Sequence, residues 1–110
     1  MSLEVSISAR AELDRTLQYL WYLENADEQI AERFLLAVNE TIQTVAGKPD
    51  LGRPSHFTAP ELVCIRSIQI KKPFRNHLLF YWEGSSLRVE RIIHGARDIP
   101  RRMVENPGEP

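Results

Sequence analysis

Leu3, Val5 and Ile7 alternate with Glu4 and Ser6, a period of two that predicts a short strand. Ser8 follows as an N-cap. Leu13, Leu17, Leu20 and Leu23 then mark one face of a helix, which Trp21 and Tyr22 broaden. At Asn25-Ala26-Asp27-Glu28 the helix breaks and restarts. Asn25 is the cap expected there, and Glu28 three residues on completes a capping box. Ile30, Phe34, Val38, Ile42 and Val45 continue at helical spacing to Ala46, where Gly47 and Pro49 supply the stop. Two helices joined by so short a break form an antiparallel hairpin.

Residues 50–60 carry Gly52, Pro54 and Pro60 and read as a loop. Beyond it the period changes. Residues 62–70 are rich in β-branched side chains and predict a strand, with Cys64 in it as a small core residue, ended by Lys71-Lys72-Pro73. Leu78, Phe80 and Trp82 alternate with Leu79 and Tyr81, so this strand is apolar on both faces and belongs in the centre of a sheet. Glu83-Gly84-Ser85-Ser86 is a hairpin turn. In the following strand Leu87, Val89 and Ile93 share one face and Arg88 and Glu90 the other, while Arg91 falls in phase with the apolar set. Asp98 caps a last helical turn with Pro100 near its start. The order is β-α-α-β-β-β, an α+β fold in which a helix hairpin packs on one face of a mainly antiparallel sheet. The other face is left open. Residues 1–103 make one domain and residues 104–110, rich in Pro, Gly and Glu, a loose tail.

Composition agrees with one ordinary domain. The chain has 110 residues, 43% of them hydrophobic and 26% charged, enough to bury a core without a metal or disulfide. The single cysteine, Cys64, excludes an internal disulfide framework and suits a reducing compartment. No apolar run is long enough to span a bilayer, and the first residues lack a signal-peptide pattern, so a cytoplasmic protein without a membrane partner is expected. His56 and His77 stand apart from Cys64 with no metal-ligand spacing, so neither a metal nor another cofactor is expected.

The formal net charge of −1 conceals a split. Residues 1–47 carry three arginines against eight acids, a net of −5. Residues 66–102 carry Arg66, Lys71, Lys72, Arg75, Arg88, Arg91, Arg97, Arg101 and Arg102 against Glu83, Glu90 and Asp98, a net of +6. These nine cations are candidate contacts to a target or protein partner, gathered on the open sheet face. Seven of them are arginines, the better fork for phosphate or carboxylate. The competing reading is a solvated sheet blunted by charge. Arg91, in the apolar phase, is either such a contact or one half of an ion pair with Asp98 or an acid of the helix hairpin.

Five features together resemble a known family. They are the element order, Gly52-Arg53 after the second helix, Ile65-Arg66-Ser67, Phe80-Tyr81, and above all Arg91-Ile92-Ile93-His94-Gly95-Ala96-Arg97-Asp98. The chain resembles the ParE branch of the RelE/ParE toxins, the toxin halves of bacterial type II toxin–antitoxin pairs, over about residues 3–102. That resemblance implies neutralisation by a cognate antitoxin and inhibition of DNA gyrase by binding. The RelE branch implies instead cleavage of mRNA on the ribosome.

Metal-independent RNA cleavage needs a base for the 2′-hydroxyl, cations for the developing phosphate charge and an acid for the leaving oxygen. In that alternative reading His94 is the base, with Arg66, Arg75 and Arg97 as phosphate clamps. No tyrosine follows Tyr81, so the C-terminal tyrosine of many nuclease members has no match. The ParE reading assigns no catalytic residue and makes His94 a structural residue at the strand end. Gly95 supplies a backbone angle that other residues resist, and Arg97-Asp98 is a surface pair and helix cap. Trp21, Trp82 and Phe34 fall in the apolar phases of their elements and are assigned to the core.

Overall fold

The computed structural model describes residues 2–55, 57, 59–95, 99–104 and 107. Its elements are β1 (Val5–Ile7), α1 (Ala9–Asn25), α2 (Glu28–Gly47), β2 (Arg53–Pro54), β3 (Arg66–Gln69), β4 (His77–Glu83), β5 (Leu87–His94) and α3 (Ile99–Val104). Short 3₁₀ turns at Pro49–Leu51 and Pro60–Leu62 punctuate the stretch between α2 and β3. The strands form one sheet in the order β1-β5-β4-β3-β2. β4 is central, as its two apolar faces require. β1 runs parallel to β5 and every other pair is antiparallel, so the sheet is mixed.

Local chemistry sets the helix boundaries. Ser8 caps α1, its hydroxyl accepting from the Ala11 amide at 3.0 Å. Asp27, not Asn25, caps α2, with Oδ1 accepting from the Ile30 amide at 2.8 Å. Asn25 instead completes α1 and donates to the Trp21 carbonyl. Both residues can cap, but only Asp27 has the extended backbone a cap needs. α2 buries the expected Phe34, Val38, Ile42 and Val45, together with the small Ala31, Ala37 and Ala46.

α1 departs from the leucine pattern. Its inward stripe is Ala11, Asp14, Gln18 and Tyr22, while Leu13, Leu17, Leu20 and Trp21 are 44%, 39%, 44% and 58% exposed. The two stripes differ by one position, about 100° around the helix. Polar partners inside the fold select the inward one: Asp14 is ion-paired to Arg91, and Gln18 Nε2 donates to the Ile92 carbonyl at 2.7 Å. Trp21 is therefore a surface residue, whereas Phe34 is core and Trp82 partly buried.

Both sheet faces are covered. Leu79 and Tyr81 join Phe34, Val38, Val45, Leu87, Val89 and Ile92 beneath the helices. Their neighbours Phe80 and Trp82 point the other way, into a second cluster with Leu62, Ile65, Ile93 and Met103. That cluster lies under the Pro60–Leu62 turn and α3, so the face expected to be open is capped by its own small core. β5 crosses between the clusters through a bulge. Phe80 faces Arg91 but Tyr81 faces Val89, leaving Glu90 as the extra residue. The bulge shifts the phase by one, so Ile93 lies opposite Leu87 and Val89 rather than beside them.

β3 is shorter than residues 62–70, and Cys64 precedes it. Cys64 is exposed at φ 70°, in a turn where Ile65 donates back to the Leu62 carbonyl, and not in a core strand. The capping position Asp98 lies outside the described residues, as does most of the tail.

Candidate functional site

The cations of the second half do not gather on one wall. Residues opposite each other in a ladder share a face. Arg66 is opposite Tyr81 and so lies on the helix side, while Arg88 is opposite Trp82 and lies on the other. Arg66 Nη1 donates to the Gly52 carbonyl at 2.7 Å and its Nε lies 3.3 Å from Glu83. Arg88 Nε lies 3.1 Å from Glu90.

Arg91 is 3% exposed and spans three elements. Its Nε donates to Asp14 Oδ2 at 2.8 Å and its Nη2 to Asp14 Oδ1 at 3.1 Å. Its Nη1 donates to the carbonyls of Arg102 and Met103 at 2.6 and 3.1 Å. An ion pair with an acid of the helix hairpin is therefore present, while Asp98, the other expected partner, lies outside the described residues. A guanidinium locked this way is an internal clamp, not a surface contact.

Three cations stay together. Lys71, Lys72 and Arg75, all exposed, line a trough of about 880 Å³ in the connection from β3 to β4. Arg53 of β2 joins them and Glu40 of α2 sits on its wall. Arg53 lies outside the basic stretch of residues 66–102 and enters the sequence reading only through the Gly52-Arg53 pair. Arg101 is exposed on α3, and Arg102 Nη1 donates to the His94 carbonyl at 2.6 Å. Arg97 lies outside the described residues.

The groups of the nuclease reading are not brought together among the described residues. His94 is opposite His77 at the start of β4, and Arg66 opposite Tyr81 four residues further along. That is roughly 13 Å along the strand and about 10 Å across two strand spacings. Arg75 belongs to the trough. His94 is exposed, its ring 4.7 Å from that of His77. Gly95, at φ 85°, ends the strand and donates to the Asn76 carbonyl at 2.8 Å, the left-handed turn expected of it.

Beside this histidine pair, α1 and the ends of β4 and β5 enclose a cleft of about 360 Å³. His77 forms its floor, Nε2 2.9 Å from the Tyr22 hydroxyl. Burial, together with the neighbouring His94, lowers the His77 pKa to about 4, so the ring is neutral at physiological pH. Burial likewise raises the Tyr22 pKa. No periodic signal marked His77 or Gln18 as cleft residues. The 11-14-18-22 spacing was the available sign, obscured by the leucines beside it. Among the described residues no group of three or more His, Cys, Asp or Glu could hold a metal ion, and no helix is long and apolar enough to cross a membrane.

A family model described as "ParE toxin of type II toxin-antitoxin system, parDE" matches residues 3–99. No curated protein matches the chain. Among solved structures the chain is similar to one from the chromosomal ParDE toxin–antitoxin system of P. aeruginosa. The TM-score is 0.70 at 15% identity, covering 86% of this chain and 98% of the other. At that identity the likeness concerns the fold, a two-helix layer on a five-stranded mixed sheet. The family match spans nearly the whole domain and includes the strand-end motif through Asp98. The chain belongs to the ParE toxin family of type II toxin–antitoxin systems.

Proposed function

We propose that this toxin acts in the cytoplasm by occupying DNA gyrase, without chemistry of its own, and that a cognate antitoxin neutralises it in a hetero-oligomer. One observation supports occupancy over cleavage: among the described residues His94, Arg66 and Arg75 lie in three separate places, so that base has neither of those two clamps beside it. Binding needs only surfaces, and two are present. The trough of Arg53, Lys71, Lys72 and Arg75 complements an acidic segment, and the leucine ridge of α1 complements an amphipathic helix. An antitoxin tail that folds on binding and carries acidic residues fits both.

Purified protein added to gyrase should inhibit supercoiling at micromolar concentration, and the antitoxin should restore it. The same protein added to a translation extract should leave mRNA intact. Unimpaired gyrase at that concentration overturns the reading. Ribosome-dependent mRNA cleavage that is lost in His94→Ala at unchanged stability replaces it with the RelE-like activity.

A further inference from the structure

We propose that the cleft between α1 and the ends of β4 and β5 receives one tyrosine-like aromatic side chain from a protein partner, bound by a hydrogen bond to Gln18 and His77. The inference concerns a pocket and its ligand chemistry, and it stands independently of the gyrase reading.

Two polar atoms on the cleft wall are buried without a partner: Gln18 Oε1 and His77 Nδ1. The orientation of Gln18 follows from chemistry, since only its NH₂ group can face the Ile92 carbonyl, 2.7 Å away. That leaves Oε1 as the unpartnered acceptor of a cleft-lining side chain. His77 is 2% exposed, with Nε2 held by the Tyr22 hydroxyl, so Nδ1 is its one remaining polar atom. A neutral imidazole whose Nε2 accepts from Tyr22 offers Nδ1–H as a donor. With the Tyr22 hydroxyl as the donor to Nε2, the cleft-lining side chains carry one unpartnered acceptor and one unpartnered donor, and buried polar groups of this kind call for a ligand or ordered water. A hydroxyl has the complementary pair, a proton for Gln18 and lone pairs for His77.

The remaining walls specify the body that carries the hydroxyl. Leu17, Trp21, Tyr22 and Ile92 line the cleft, and its volume of about 360 Å³ is many times the roughly 30 Å³ of a single water. A water could bridge the polar atoms but would leave these apolar walls uncovered. A phenol covers them and satisfies the polar atoms together. An aliphatic side chain fills the space but strands both buried groups.

Charge and continuity point to a protein as the source. Arg102 is the one Lys or Arg among the described residues of the wall, and its Nη1 donates to the His94 carbonyl at 2.6 Å. The Asp14 carboxylate lines the same cleft, which disfavours the phosphate of a nucleotide. Outside, the cleft opens beside the exposed ridge of Leu13, Leu17, Leu20 and Trp21, which a partner helix would cover while inserting its aromatic side chain.

The test is a ¹H–¹⁵N NMR titration of the full chain with p-cresol, 4-methylanisole and AMP. The first two ligands share shape and differ in the hydroxyl proton. p-Cresol is expected to shift the Leu17, Gln18, Trp21 and His94 amides and to bind about five- to tenfold tighter than 4-methylanisole. Gln18→Leu should abolish that preference, and Leu17→Glu, at an exposed wall position, should weaken both ligands. Thermal unfolding checks that each variant folds; if Gln18→Leu does not, the ligand pair on the native chain decides alone. Equal binding of p-cresol and 4-methylanisole, no shift at saturating p-cresol, or tighter binding of AMP overturns the proposal.

Discussion

The Arg91 guanidinium grips the Asp14 carboxylate through two hydrogen bonds of 2.8 and 3.1 Å, tying the middle of β5 to the second turn of α1. Asp14 Oδ2 also accepts from the Ile92 amide at 2.9 Å, and Arg91 reaches on to the last carbonyls of α3. One ion pair thus joins the helix hairpin, the bulged strand and the C-terminal helix. Asp14→Ala should cost about 3–5 kcal/mol in urea unfolding, because it leaves a buried cation without its anion. Asp14→Leu combined with Arg91→Met should recover most of that loss. A single variant within about 1 kcal/mol of the native chain would show that the pair is not the clamp described.

Tyr81 and Gly52 form a second lock. The Tyr81 hydroxyl donates to the Pro49 carbonyl at 2.6 Å and accepts from the Gly52 amide at 2.8 Å. A Cβ at position 52 would run into the hydroxyl and lie 2.8 and 2.9 Å from ring atoms Cε1 and Cζ. Gly52→Ala should therefore destabilise through displaced backbone, and Tyr81→Phe by about 1–3 kcal/mol through two unpaired groups. Because both changes break one contact, the double variant should lose less than the two singles together. Strict additivity in chemical denaturation would contradict the shared contact.

His77 makes stability depend on pH. Its folded-state pKa of about 4 lies below the ordinary 6.5, so between those values the unfolded chain binds the extra proton. The stabilisation is complete above pH 6.5 and is lost as the pH falls to about 4. The amount is roughly 3 kcal/mol at most. Thermal unfolding of the native chain and of His77→Leu at closely spaced pH values measures it. The difference between the two curves should narrow as the pH drops through this window, and a constant difference would refute the assignment.

The trough and the cation of β5 outside it should behave differently toward an acidic antitoxin. Lys71→Glu with Arg75→Glu should slow association by about tenfold and flatten its salt dependence. Arg88→Glu, on β5 outside the trough and already beside Glu90, should change the rate little. Stopped-flow association at several salt concentrations separates these outcomes. An equal effect from both places would mean that net charge, not the trough, governs encounter.

The elements themselves were legible along the chain wherever one periodicity dominated. α2 needed only Phe34, Val38, Ile42 and Val45 at helical spacing, and β4 only its double-faced apolar run. α1 was misread because two stripes compete one position apart, and the leucines form the more conspicuous one. Likewise, no local pattern reveals that Glu90 is a bulge, since an extra residue shows only against a partner strand. The expectation of a single basic wall failed for the same reason. Arg66 and Arg88 belong to one charged stretch, yet their faces depend on register with Tyr81 and Trp82.

The sequence by itself determined the class of fold, the central place of β4, the two-helix layer, and through its strand-end motif the family. Those follow from short-range periodicity and from residue types in fixed order. Tertiary structure alone decided that Arg91 is an internal clamp, that the far face of the sheet is covered, and that His77 and Gln18 meet across a cleft. These are relations between residues from about 10 to nearly 80 positions apart, set by pairing register and by which buried polar group finds a partner.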